Sequence, residues 1–320
     1  MTTPVPGLAV FGNKSTTVEL LAFLRQRGSS PSLLVHLTPE DGARHQVAGY
    51  ADLRDIADGD GTRVYHPSTY ALTDPADQAF LASAGISVAI VMGWQRLVPA
   101  PVLASLAVGA FGMHGSSEPL PRGRGRSPLN WSLLEGRTSF RTNLFRYDPG
   151  VDSGDIVGTV VFDINAWDDC ASLHLKNTLS MTQLLSRHLD DLLAGRVDAH
   201  PQLADVEPTY YPKRTAEDGR IRWLDMDARR LHDHVRAQTR PFPGAFSHYE
   251  GRAEPIRIWH AVPFDSRLEF PPSAPGRVCA AFDDGTFLVS TWDGTVRVLD
   301  ADLPAGTTIE VGGRFTDEPS

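Results

Sequence analysis

Two residues in this sequence have the types and spacing to pass a proton between them. His114 sits in GMHGSS, just after an apolar run, and Asp152 follows 38 residues later in VDSGD. A glycine-rich turn can hold an imidazole where a substrate reaches its ring. A carboxylate arriving from a second loop can orient that ring and balance its charge. Together they form the minimal kit for proton movement during acyl transfer. A structural histidine beside a helix-capping aspartate shares this spacing, which alone leaves both readings open. Ser116 and Ser117 flank the histidine, but Gly-x-Ser-x-Gly is absent, which disfavours a serine nucleophile.

The elements that must position this pair read as alternating strands and helices. LAVF, PSLLVHL, RVYH, ISVAIVMGW and VGAFGMH are apolar strand candidates, with helical patterns at TTVELLAFLRQRG, DLRDIA and residues 74–83. Such alternation implies a parallel α/β sheet. Its ligands are expected beyond the carboxyl ends of the strands. His114 follows one strand there, and GWQRLVP (residues 93–99) follows the preceding one. SFRTNLFRYD and IVGTVVFDI read as two further strands. ASLHLKNTLSMTQLLSRHLDDLLAG reads as a long amphipathic helix stopped at Gly195.

The polar, proline-bearing stretch DAHPQLADVEPTYYPKR marks a domain boundary, giving expected domains at residues 1–200 and 201–320. A length of 320 residues agrees with two domains. MDARRLHDHVRAQ then reads as a helix. PIRIWHAV, GRVCAAF, TFLVST, TVRVLDA and TIEV read as short strands, with hairpin signals at DDG and WDG.

The site segment resembles the signature of the formyl-tetrahydrofolate-dependent formyltransferases. That signature is roughly Asn-x-His-x-Ser-Leu-Leu-Pro, an Arg-Gly turn, Pro and a helix, then Leu-Asp-x-Gly-Asp. His114, Ser116 and Pro119 match its first block. Arg124, Gly125 and Pro128 match the second after a two-residue insertion, and Asp152, Gly154 and Asp155 match the third. GWQRLVP is similar to the family's donor-side loop. KRTAEDGRIRW and VRAQTRPFPGAF are similar to the start of its C-terminal domain.

The resemblance implies a Rossmann-like α/β catalytic domain followed by a small OB-like β-barrel. It implies formyl-tetrahydrofolate as co-substrate, held by Trp94, Gln95, Arg96, Leu97, Val98, Gly150 and Val151. His114 and Asp152 take the catalytic roles. The family position two residues before the histidine is usually Asn, thought to steady the oxyanion, and here it is Gly112. Asn130, Ser116 and a backbone N–H of the 112–117 turn are the candidates to replace it. Arg122, Arg124 and Arg126 alternate through a glycine-proline loop and are candidates to grip a phosphate of the acceptor; a solvated loop is the plainer reading.

Composition narrows the partners. The formal net charge is −9. From residue 205 onward there are 14 basic and 19 acidic residues, a net of −5. Nucleic-acid binding needs a basic surface to release phosphate counterions, so tRNA is disfavoured as acceptor. A small-molecule amine is expected instead, on a nucleotide-linked amino sugar or an ornithine-type compound. Methionyl-tRNA formylation, and folate binding or hydrolysis without transfer, remain as alternatives. Cys170 and Cys279 are the only cysteines. His232 and His234 lie two apart on an expected helix and so face different ways. No metal is expected. No apolar run approaches the ~18 residues of a membrane span, and the N-terminus lacks a signal pattern, so a cytoplasmic protein is expected. A homodimer is left open.

Overall fold

A computed structural model describes residues 4–47, 49–270 and 274–319. Its contacts divide the chain into two units. One comprises residues 1–125, 141–162 and 176–210, and the other residues 126–140, 163–175 and 211–320.

The first unit is built on β1 (Val5–Phe11), α1 (Ser15–Gln26), β2 (Pro31–Val35), α2 (Pro39–Arg44), α3 (Arg54–Asp60) and β3 (Arg63–Tyr65). It continues through α4 (Pro75–Ser83), β4 (Val88–Val91), α5 (Ala100–Ser105), β5 (Gly109–Ser116) and β6 (Arg124–Gly125). After α6 (Pro128–Leu134) come β7 (Ser139–Arg146), β8 (Ile156–Asp163) and α7 (Cys170–Leu193). The seven-stranded sheet has the order β3-β2-β1-β4-β5-β7-β8. It is parallel from β3 to β5, and β7 runs antiparallel to β5.

Alternation along the strands sends apolar side chains to both faces. Leu8, Val10, Ile90 and Phe111 pack with Leu21 and Leu24 of α1 and Leu185 and Leu189 of α7. Ala9, Phe11, Val91 and Ala110 pack on the other face with Leu81 of α4 and Val102 of α5. Several helix starts follow their sequence signals. The Asp74 carboxylate accepts from the Ala76 N–H at 2.8 Å, with Pro75 opening α4.

The second unit contains α6, the first turn of α7, a short 3-10 turn (Glu217–Gly219) and α8 (Ala228–Arg236). The short β9 (Tyr210–Tyr211) pairs with β6. Its sheet uses β10 (Ala245–Tyr249), β11 (Ile256–Asp265), β12 (Val278–Ala281), β13 (Phe287–Ser290), β14 (Thr295–Asp302) and β15 (Phe315–Thr316), in the order β12-β13-β14-β11-β10-β15. All the pairings are antiparallel. The sheet curls until its two ends bond. The Phe315 N–H donates to the Gly276 carbonyl at 2.8 Å, and the Val278 N–H to Gly313 at 2.9 Å. The expected strand TIEV does not form. Residues 308–310 are irregular, the chain turns at 311–312, and it pairs just beyond. Trp223, Leu231, Ile258, Val298 and Phe315 fill the interior.

Candidate active site

His114 lies on β5 itself and not in a turn after it. β7 pairs with residues 111–116, so the strand continues through the glycines, and His114 faces Asn143 across the ladder. The side chain is 8% exposed. Its Nε2 lies 2.8 Å from the carbonyl oxygen of Gly123. A carbonyl can only accept, so Nε2 carries a hydrogen. The other ring nitrogen, Nδ1, stands 3.4 Å from Asp152 Oδ2.

Asp152 belongs to a tight loop between β7 and β8. Asp148 Oδ1 accepts from the Gly150 N–H at 3.0 Å and from the Ser153 hydroxyl at 2.6 Å. Gly154 has no room for a side chain, because a Cβ there would run into the Arg146 carbonyl. Asp152 adopts φ 49°, a left-handed conformation that aspartate tolerates better than most residues. Its Oδ2 accepts from the Gly125 N–H at 3.0 Å. The segment 123–125 therefore holds both members of the pair, the imidazole through one carbonyl and the carboxylate through one amide.

Two residues that sequence reasoning missed fix this arrangement. The Gln202 amide donates to the carbonyls of Asp152 at 2.7 Å and Gly154 at 2.9 Å. Asn143, 3% exposed, donates to the His114 carbonyl at 3.2 Å and accepts from the Thr159 hydroxyl at 2.7 Å. A cavity of about 430 Å³ lies beside this loop, walled by Leu103 of α5, Ala110, Tyr147, Asp148 and Ser153. That volume lies within the range of small-molecule pockets.

These features sit inside two matched families. Residues 8–188 match the model described as Formyl transferase, and residues 213–313 match the Formyl transferase C-terminal domain. The chain belongs to the formyl transferase family.

Solved structures with the same fold include HypX from Aquifex aeolicus in complex with tetrahydrofolic acid. It is 20% identical, covers 92% of this chain and 44% of its own, and has a TM-score of 0.64. The chain thus spans less than half the length of HypX. WlaRD, a sugar 3N-formyl transferase solved with dTDP and 5-N-formyl-THF, is 13% identical over 94% of this chain and 98% of its own, at a TM-score of 0.66. The N-formyltransferase from Helicobacter canadensis, in complex with folinic acid and dTDP-3-aminofucose, is 15% identical over 93% of this chain and 100% of its own, at 0.64. At these identities the likeness is one of fold.

The other candidate residues fall into distinct places. Trp94 and Val98 are core residues, 7% and 2% exposed, with the Trp94 ring edge-on to Phe11 and Tyr70. The Gln95 N–H donates to the Tyr70 hydroxyl, and the Arg96 guanidinium lies over the Tyr70 ring. Leu97 and Val151 are exposed apolar side chains, at 53% and 42%, and Gly150 is exposed as well.

Ser116 is occupied. Its hydroxyl donates to the Arg122 carbonyl and accepts from the Glu118 N–H. Asn130 belongs to the second unit, 4% exposed, where its amide donates to the Ala237 carbonyl at 2.6 Å. Arg124 is buried, its guanidinium bonded to Gln202 and the Tyr210 hydroxyl. Arg122 is exposed and loosely paired with Glu118, and Arg126 is exposed within the second unit. Among the described residues there is no group of three or more His, Cys, Asp or Glu placed to hold a metal, and no helix long and apolar enough to cross a membrane.

Proposed function

We propose that this chain is an N-formyltransferase that moves the formyl group of formyl-tetrahydrofolate to the amine of a nucleotide-linked amino sugar. The observation that carries the reading is the His114–Asp152 pair, with Nε2 tied to Gly123 and Nδ1 facing the carboxylate at 3.4 Å. The co-substrate supplies an activated formyl group. Leu97, Gly150 and Val151 offer exposed contacts for it, and Trp94, Gln95, Arg96 and Val98 shape the loop that presents Leu97.

His114 accepts at Nδ1 the proton that the attacking amine loses. Asp152 faces the resulting imidazolium and stabilises it electrostatically. The bond from formyl carbon to the folate nitrogen then breaks, its electron pair goes to that nitrogen, and the nitrogen takes the proton from His114 Nδ1 as it leaves. Sugar acceptors are favoured because WlaRD and the Helicobacter canadensis enzyme were solved with a dTDP nucleotide and a dTDP-linked amino sugar. Arg122, exposed in the first unit beside Glu118, is the guanidinium offered to a diphosphate there.

The test is a three-way acceptor comparison with formyl-tetrahydrofolate as donor, reading tetrahydrofolate release and product mass. A dTDP-linked 3-amino sugar should be formylated, in preference to hydroxylated ornithine and methionyl-tRNA. Efficient formylation of methionyl-tRNA with the small amines untouched would overturn the acceptor assignment. Formate release with no amine product would move the reading to hydrolysis.

A further inference from the structure

Gly112 stands where the family resemblance leads one to expect an asparagine, and the structure shows what fills the space. Gly112 keeps an ordinary strand backbone and pairs with Phe145 of β7. A Cβ added there would lie 2.6 Å from the hydroxyl oxygen of Tyr147 and 2.7 Å from the ring carbon that bears it. The phenol of Tyr147 therefore occupies the volume that a side chain at position 112 would take. Residues 112 and 114 are two apart on one strand, so that volume is on the His114 face of the sheet, about 7 Å along it.

The other donors near His114 are engaged. Asn143 bonds the His114 carbonyl and Thr159, and Ser116 bonds the Arg122 carbonyl. The Tyr147 hydroxyl has no hydrogen-bond partner among the described residues, although the residue is half-buried on the wall of the cavity beside the Asp152 loop. Its ring stacks on Phe145 with centroids 5.0 Å apart, which fixes its direction.

We infer that Tyr147 donates the hydrogen bond to the formyl oxygen that an amide at position 112 would otherwise supply. The inference rests on the N-formyl transfer reading. As the amine nitrogen bonds to the formyl carbon, the C=O electron pair moves onto oxygen, and the phenol O–H stabilises that charge. When the carbon–nitrogen bond to folate breaks, the pair returns to form the amide C=O, and Tyr147 keeps its proton throughout. Burial raises the phenol pKa and the charge of Asp152 raises it further, so the group stays a donor at neutral pH. A side chain at position 112 and the Tyr147 phenol exclude one another, so only glycine there leaves the phenol its place.

Tyr147→Phe removes the hydroxyl and keeps the stacked ring. It should lower kcat by about a hundredfold, the scale of one lost oxyanion donor. The Kd for 5-formyl-tetrahydrofolate, read by fluorescence quenching, should stay within about twofold of wild type, and so should thermal stability. Tyr147→Ala should be at least as slow. Adding Gly112→Asn to Tyr147→Ala should restore activity at least tenfold, because the amide regains its space. Gly112→Asn alone should unfold at a lower temperature, since Tyr147 is still there.

Wild-type kcat in Tyr147→Phe, or a weakened folate Kd with kcat unchanged, overturns the inference. A wild type that releases formate without forming any amide overturns the transfer reading only. In that case Tyr147→Phe should slow hydrolysis by the same factor, because the same oxygen gains charge. A wild type that neither transfers nor hydrolyses overturns both.

Discussion

Gln202 holds the carbonyl of Asp152 at 2.7 Å while its own oxygen accepts from Arg124 at 2.6 Å. One side chain thus links the aspartate loop to the arginine turn that also carries the His114 contact. Gln202→Leu keeps the volume and removes both links. It leaves the Asp152 and Gly154 carbonyls short of a donor, at a cost of about 1–3 kcal/mol. A loosened loop misplaces the carboxylate, so kcat should fall about tenfold or more. Thermal melts and steady-state kinetics on the same preparation check both effects.

His114→Asn and Asp152→Asn should each lower turnover by about a hundredfold or more, the scale of a positioned acid–base group, with little change in melting temperature. Asp152→Ala should lose activity and also about 1 kcal/mol of stability. Alanine tolerates the φ of 49° poorly and leaves the Gly125 N–H without its acceptor. Near-normal turnover in any of these variants removes that residue from the mechanism.

Asn130→Leu tests whether that amide takes any part in chemistry. Its amide is bonded to the Ala237 carbonyl inside the second unit. The variant should be about 1–3 kcal/mol less stable, because a buried carbonyl is left unsatisfied. Below its unfolding temperature kcat should stay within about twofold of wild type. A hundredfold loss in the folded variant would instead favour an oxyanion role for Asn130.

Stability should decline on mild acidification. Burial pushes the His234 pKa down to about 4, and His232 is lowered for the same reason. Unfolded histidine takes up its proton near 6.5. Between those values the unfolded chain binds more protons than the native one. The stabilisation is therefore full above about pH 6.5 and is lost as pH falls toward 4. His234 alone should account for about 2 kcal/mol between pH 7 and pH 5. Urea denaturation at the two pH values measures it, and His234→Gln should flatten the difference.

The sheet and its helices were legible because strand and helix periodicity act within a few residues. His114 and Asp152 were picked out together by the resemblance of their separate motifs to one family signature, since 38 residues of spacing alone left both readings open. The partners of the pair were not legible. Gln202 is 50 residues from Asp152 in sequence, and its residue type announces nothing. Arg124 read as a free cation, yet burial against Gln202 and Tyr210 makes it a brace. Asn130 and Ser116 had suitable donors, but both donors are used within the fold. Tyr147, directly after β7, drew no functional reading from the sequence. Only the side-chain volume at Gly112 gave it meaning. The missing strand TIEV shows the same limit, since an apolar-polar alternation there competes with pairing just beyond it.

The bonds joining residues 312–315 to residues 276–278 also govern how the second unit behaves among other chains. A curled sheet left unjoined presents two rows of free N–H and C=O groups, ready to template a neighbour's strand. Here each row is the other's partner. A chain stopped before residue 312 would keep β10 to β14 but expose the Val278 amide and the Gly276 carbonyl along an apolar strand. Residues 312–315 thus cover that edge from within the chain, and Phe315 packs into the interior of the same unit.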